Sequence, residues 1–138
     1  MTPESAFHER GGQATVLVLD DDPAFRASVE GVLKRAGYRV RTAVDAREAL
    51  ALLEDLDPDR VIVLCDLVLP GLDGREAANV ILAHHPRVRI VYTSGYTQHE
   101  SFVADLIADG EIFLEKPFEV AALTYLLRSL LPPEGTRT

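Results

Sequence analysis

Five short runs of apolar and β-branched residues punctuate the chain: TVLVLD at 15–20, YRVRTA at 38–43, RVIVLCD at 60–66, RVRIVYT at 87–93 and EIFL at 111–114. Their length and composition predict β-strands, and each is followed by a stretch whose apolar positions recur with the period of a helix. The first helix is expected to begin at Pro23, with Asp22 before it as N-cap, to carry Phe25, Val29, Val32 and Leu33 inward, and to end at Gly37. DAREALALLEDL at 45–56 predicts a second helix, capped by Asp45, with Glu48 closing a capping box. GREAANVILAHH at 74–85 predicts a third, stopped by Pro86; HESFVADLIADG at 99–110 a fourth; and EVAALTYLLRSLL at 119–131 a fifth, ended by Pro132 and Pro133.

Strand and helix alternate five times. That order predicts one α/β domain with a parallel sheet covered by helices on both faces, because parallel neighbours need crossover connections and these are right-handed. The second strand, with Arg39 and Arg41 flanking Val40, is polar enough to be an edge. The domain is expected over 14–131. Residues 1–13, polar and holding Gly11 and Gly12, read as a flexible N-terminal tail, and 132–138 as a C-terminal tail.

Composition narrows the partners. Fourteen basic against twenty-two acidic side chains give a formal net charge of −8, the wrong sign for gripping a phosphate backbone, so no direct nucleic-acid contact is expected. Cys65 is the only cysteine, which excludes an internal disulfide and a cysteine-rich zinc site and suits a reducing compartment. No secretory leader is legible and no apolar run reaches the roughly 20 residues that span a bilayer. A soluble, cytoplasmic protein without membrane insertion is expected.

In open parallel sheets, ligands bind beyond the carboxyl ends of the strands. There the chain gathers Asp20 and Asp21 from the first strand, Asp66 from the third, Thr93 and Ser94 from the fourth, and Lys116 just past the fifth. Three neighbouring carboxylates are costly without a positive partner. With two hydroxyls and one ammonium they describe a site for a hard divalent cation together with an anion, most economically Mg²⁺ and a phosphoryl group.

At these residues the chain resembles the receiver domains of two-component response regulators, including those fused to hybrid histidine kinases. The resemblance covers about residues 14–131 through VLVLDDDPAFR, VLCDLVLPGLDG, IVYTSGYT and FLEKPF, in that order. It implies a flavodoxin-like, doubly wound five-stranded sheet of order 2-1-3-4-5. It also implies that Asp66 accepts a phosphoryl group from a sensor histidine kinase or histidine phosphotransfer protein. Asp20, Asp21, Asp66 and the main-chain carbonyl of Val68 then correspond to the Mg²⁺ ligands, with Asp21 binding directly, Asp20 through water, and Mn²⁺ able to substitute. Thr93 and Lys116 correspond to the groups that hold phosphoryl oxygens, and Phe113 to the aromatic that turns inward when Thr93 moves. A downstream protein partner is expected on the face of the fourth helix, fifth strand and fifth helix. Val68 and Gly95 offer no polar side chain to orient an attacking water, so slow to moderate loss of the phosphoryl group is expected. The initial Met and polar ends favour a free-standing chain over a piece of a hybrid kinase.

Plainer roles stand beside these. Asp22 reads as a helix cap and Asp73, between Gly71 and Gly74, as turn chemistry. The four histidines, His8, His84, His85 and His99, have no metal spacing, and Cys65 reads as a small, inert buried hydrophobe. A dehalogenase-like phosphatase would use Asp20 and Asp22, yet has Ala24 where a threonine belongs; a flavin binder lacks its phosphate loop after the first strand. A receiver that only binds partners is the remaining alternative.

Overall fold

The computed structural model describes residues 13–95 and 100–134. The main chain runs β1 (Thr15–Leu19), α1 (Pro23–Arg35), β2 (Arg39–Ala43), α2 (Ala46–Leu53), β3 (Val61–Asp66), α3 (Gly74–His84), β4 (Arg89–Ser94), α4 (Glu100–Ala108), β5 (Ile112–Glu115) and α5 (Val120–Leu130). The five strands form one parallel sheet of order β2-β1-β3-β4-β5. The order reverses between β1 and β3, whose carboxyl ends therefore open onto a crevice. β2 is an edge, as its arginines predict. Two small elements escape the hydrophobic pattern: a 3₁₀ turn at Pro58–Arg60 and a tight hairpin pairing Val68–Leu69 with Leu72–Asp73.

Strand alternation divides the core in two. Leu17, Leu19, Val63, Cys65 and Tyr92 pack under α2, α3 and α4, while Val16, Val18, Ile62, Leu64 and Val91 pack under α1 and α5. β1 and β3 are buried throughout, as central strands covered on both faces should be.

Local chemistry sets the helix ends. Asp22 Oδ1 accepts from the N–H groups of Ala24 and Phe25 at 3.0 and 3.3 Å, so α1 begins at Pro23 as the sequence implies. It closes in a Schellman turn: Tyr38 N–H donates to Leu33 O at 3.0 Å and Gly37 N–H to Lys34 O at 3.1 Å, with Gly37 at φ +100°. At α2, Asp45 accepts from Glu48 N–H at 2.8 Å, while Glu48 reaches back to Val44 N–H at 3.1 Å, one residue before the usual capping-box partner. Asp73, which the sequence suggests only as turn chemistry, caps the expected helix α3 by accepting from Glu76 N–H at 2.9 Å.

The expected tails lie mostly outside the described residues, as do His8 and His99. At the domain's edge, Ala14 N–H donates to Pro133 O at 2.7 Å and Arg60 Nη2 to Pro132 O at 3.1 Å. No helix among the described residues is long and apolar enough to cross a membrane.

Candidate functional site

Asp20 follows β1 directly and is buried. Its Oδ1 accepts from Asp22 N–H at 2.9 Å and its Oδ2 from Lys116 Nζ at 2.7 Å. Its main chain is tied as well, the N–H to Ala43 O at 3.1 Å and the carbonyl to Arg26 Nη1 at 2.8 Å. Asp21 is exposed and makes no hydrogen bond or ion pair with the described residues. Asp66 is the last residue of β3; its Oδ1 accepts from Val68 N–H at 3.1 Å and its Oδ2 lies 3.6 Å from Lys116 Nζ. Burial pushes the Asp66 carboxyl above the usual carboxylate range and the Asp20 charge adds to this; the Val68 N–H and the Lys116 ammonium pull the other way without cancelling it.

Lys116 reaches this point because β5 ends at Glu115, in register with Ser94, and Lys116 N–H donates to Ser94 O at 3.0 Å. Thr93 stands opposite Asp66 in the β3–β4 register, is buried, and its Oγ1 has no hydrogen-bond partner among the described residues. Phe113, in register with Tyr92, is half-buried against the α2–α4 side of the core.

A cleft of about 450 Å³ opens over the acids and Lys116, bounded by Asp20, Asp21, Asp66, Val68, Gly95 and Lys116. Its floor is tight. A Cβ on Gly74 would run into the Asp66 carbonyl and stand 2.6 Å from Leu67 Cα, so only glycine lets α3 start hard against the turn after Asp66. Burial pushes the neighbouring Cys65 thiol up to about 12, consistent with an inert buried residue.

The site brings together the acids and Lys116 named from the sequence, with Thr93 buried beside them. Carboxylate oxygens of Asp20, Asp21 and Asp66 lie within 4.8 Å of one another. These are hard donors, and three carboxylates against the Lys116 ammonium leave two negative charges, so the set fits a divalent cation such as Mg²⁺. Sequence reasoning missed Arg26, which anchors the Asp20 carbonyl, and Gly74. It also read Phe25 simply as core, although its ring lies beneath the Lys116 ammonium. No local pattern announces such contacts, because each depends on where another element lies.

The chain matches the family model described as the response regulator receiver domain over residues 16–128. The sensor kinase CckA of Brucella abortus (strain 2308) is 34% identical over 121 residues, a match covering 87% of this chain and 13% of that protein. The solved receiver domain of NtrX from Brucella abortus superposes with a TM-score of 0.74 at 34% identity, covering 84% of this chain and 97% of that one. The chemotaxis protein CheY4 of Vibrio cholerae superposes with a TM-score of 0.73 at 30% identity, covering 86% and 99%. The chain belongs to the response regulator receiver family of two-component signalling. It spans less than two thirds of the length of the curated relatives it matches.

Proposed function

We propose that the chain is a phosphoacceptor switch. Asp66 takes a phosphoryl group from the phosphohistidine of a sensor histidine kinase or histidine phosphotransfer protein, and the modified domain binds a downstream protein differently. The observation carrying this reading is the Lys116 ammonium, 2.7 Å from Asp20 Oδ2 and 3.6 Å from Asp66 Oδ2. A cation shared between two acids is already where an arriving phosphoryl oxygen needs it.

In the transfer, an Asp66 carboxylate oxygen attacks phosphorus in line. The new P–O bond forms as the P–N bond breaks, and the electron pair of that bond leaves with the imidazole. Lys116 binds one phosphoryl oxygen through a charge-assisted hydrogen bond, and Thr93 donates its hydroxyl to another. The buried Thr93 Oγ1, without a partner among the described residues, supports that role. Asp20, Asp21, Asp66 and the Val68 carbonyl are the groups that would hold Mg²⁺, or Mn²⁺ in its place. When bound, the cation supplies neutralisation of the charge gathered at the phosphoryl group. Later attack by water on phosphorus breaks the P–O bond to Asp66 and resets the switch.

Drawn toward the phosphoryl group, Thr93 leaves space that the half-buried Phe113 fills, altering the α4–β5–α5 face. Exposed apolar side chains there, Ile107, Val120 and Tyr125, support a protein partner on that face. The charge of −8 argues against a nucleic-acid partner. The same reading puts the protein in the cytoplasm, where histidine kinases present phosphohistidine.

Incubation with acetyl phosphate and Mg²⁺ tests the proposal. Intact mass should show one phosphoryl adduct on the wild type, and none on Asp66→Asn or after chelation of the cation. An unmodified wild type, or an adduct that survives Asp66→Asn, would defeat the reading.

A further inference from the structure

The Lys116 ammonium has a neighbour that the acids do not explain. Its Nζ stands 4.0 Å from the centre of the Phe25 ring, well inside the range of cation–π attraction. Phe25 meets Phe118 edge-on, with centroids 5.9 Å apart and ring planes at 83°, a favoured aromatic geometry. Phe25 lies in the first turn of α1 and Phe118 in the segment between β5 and α5, so the pair ties α1 to the stretch that carries the lysine. The Lys116 side chain is only 20% exposed, and partial desolvation strengthens the attraction. An apolar groove of about 460 Å³, lined in part by Phe25 and Phe118, shares Gly95 and Lys116 with the acidic cleft. The ring and the lysine therefore stand at the boundary between the two.

We propose that Phe25 is a positioning residue for Lys116, its ring holding the ammonium at the rim of the acidic cleft, ordered before a phosphoryl oxygen arrives. The consequence for phosphorylation rests on the phosphoacceptor reading; the contact itself does not. A free lysine tail must lose rotamer freedom to grip an oxygen, and a fixed ring removes part of that loss beforehand. Leucine retains apolar bulk at this position without a quadrupole, whereas tyrosine keeps the aromatic face.

The test compares the full chain with Phe25→Leu and Phe25→Tyr, using phosphoramidate and Mg²⁺. So small a donor makes no protein–protein contact, and a change in rate then reports on the site rather than on docking. Phosphorylation is expected to be roughly three- to tenfold slower in Phe25→Leu and within about twofold of wild type in Phe25→Tyr. In the unmodified protein, proton NMR should show the Lys116 ε-methylene shifted upfield by the ring in wild type and Phe25→Tyr, and not in Phe25→Leu. Equal rates for wild type and Phe25→Leu, equal slowing in both variants, or no upfield shift in wild type would each overturn the inference. The shift needs only wild-type protein, so it decides the matter even if a variant fails to fold. A wild type that phosphoramidate and acetyl phosphate both leave unmodified instead defeats the phosphoacceptor reading, and the NMR measurement still tests the contact.

Discussion

Gly74 shows how one absent methyl group shapes the site. Alanine there must displace main chain at Asp66 and Leu67 rather than the end of a flexible side chain. Gly74→Ala should therefore destabilise the fold by roughly 2 kcal/mol or more, measured by urea unfolding. The cleft wall is more tolerant. Val68 is 39% exposed, and among the described residues a Cβ on Gly95 would meet only the Lys116 Cβ at 3.6 Å and its carbonyl at 3.8 Å, ordinary contacts. Val68→Asn and Gly95→Glu should consequently fold normally. By placing a polar group at the cleft, each should change the lifetime of the phosphorylated form by roughly tenfold, read as the decay of the adduct in intact mass. At this scale Asp20, Asp21, Asp66 and Lys116 were legible because each sits at or just past a strand's carboxyl end. Phe25 and Arg26 were not, since both read as ordinary helix residues and their partners lie elsewhere.

Among the elements, α1 and its return to β2 depend on Tyr38. This residue closes the Schellman turn, is buried, and donates its hydroxyl to Leu131 O at 2.8 Å, joining the end of α1 to the end of α5. Burial raises the Tyr38 and Tyr92 phenols from 10.0 to about 12. Both phenols hold their protons more tightly folded than unfolded, so their contribution is complete below pH 10 and is lost as pH rises toward 12. Denaturant melts across that window should show falling stability. Tyr38→Phe should cost about 1 kcal/mol at neutral pH and flatten the decline. The helices were legible from the period of their apolar positions, with caps marking the starts of α1 and α2, and the strands from β-branched runs. The hairpin at Val68–Asp73 was not: its paired segments are two residues each, too short for any period to register, and its form depends on α3 starting against Asp66.

Across the whole molecule, the alternation of strand and helix implied a parallel sheet, because no other arrangement of such short apolar runs buries them while leaving each strand its crossover. Five carboxyl ends on one edge follow from parallel direction alone, and hence so does the meeting of acids and lysine there. The sequence by itself determined which residues carry charge to that edge, since strand-end position is a local property of the hydrophobic pattern. Tertiary structure alone decided how they are paired: Lys116 against Asp20 more closely than Asp66, Arg26 on the Asp20 carbonyl, and an aromatic ring behind the ammonium. Attraction between charges and rings depends on distances between elements remote in the chain. Those distances are set by packing in the two cores, which no window of sequence contains.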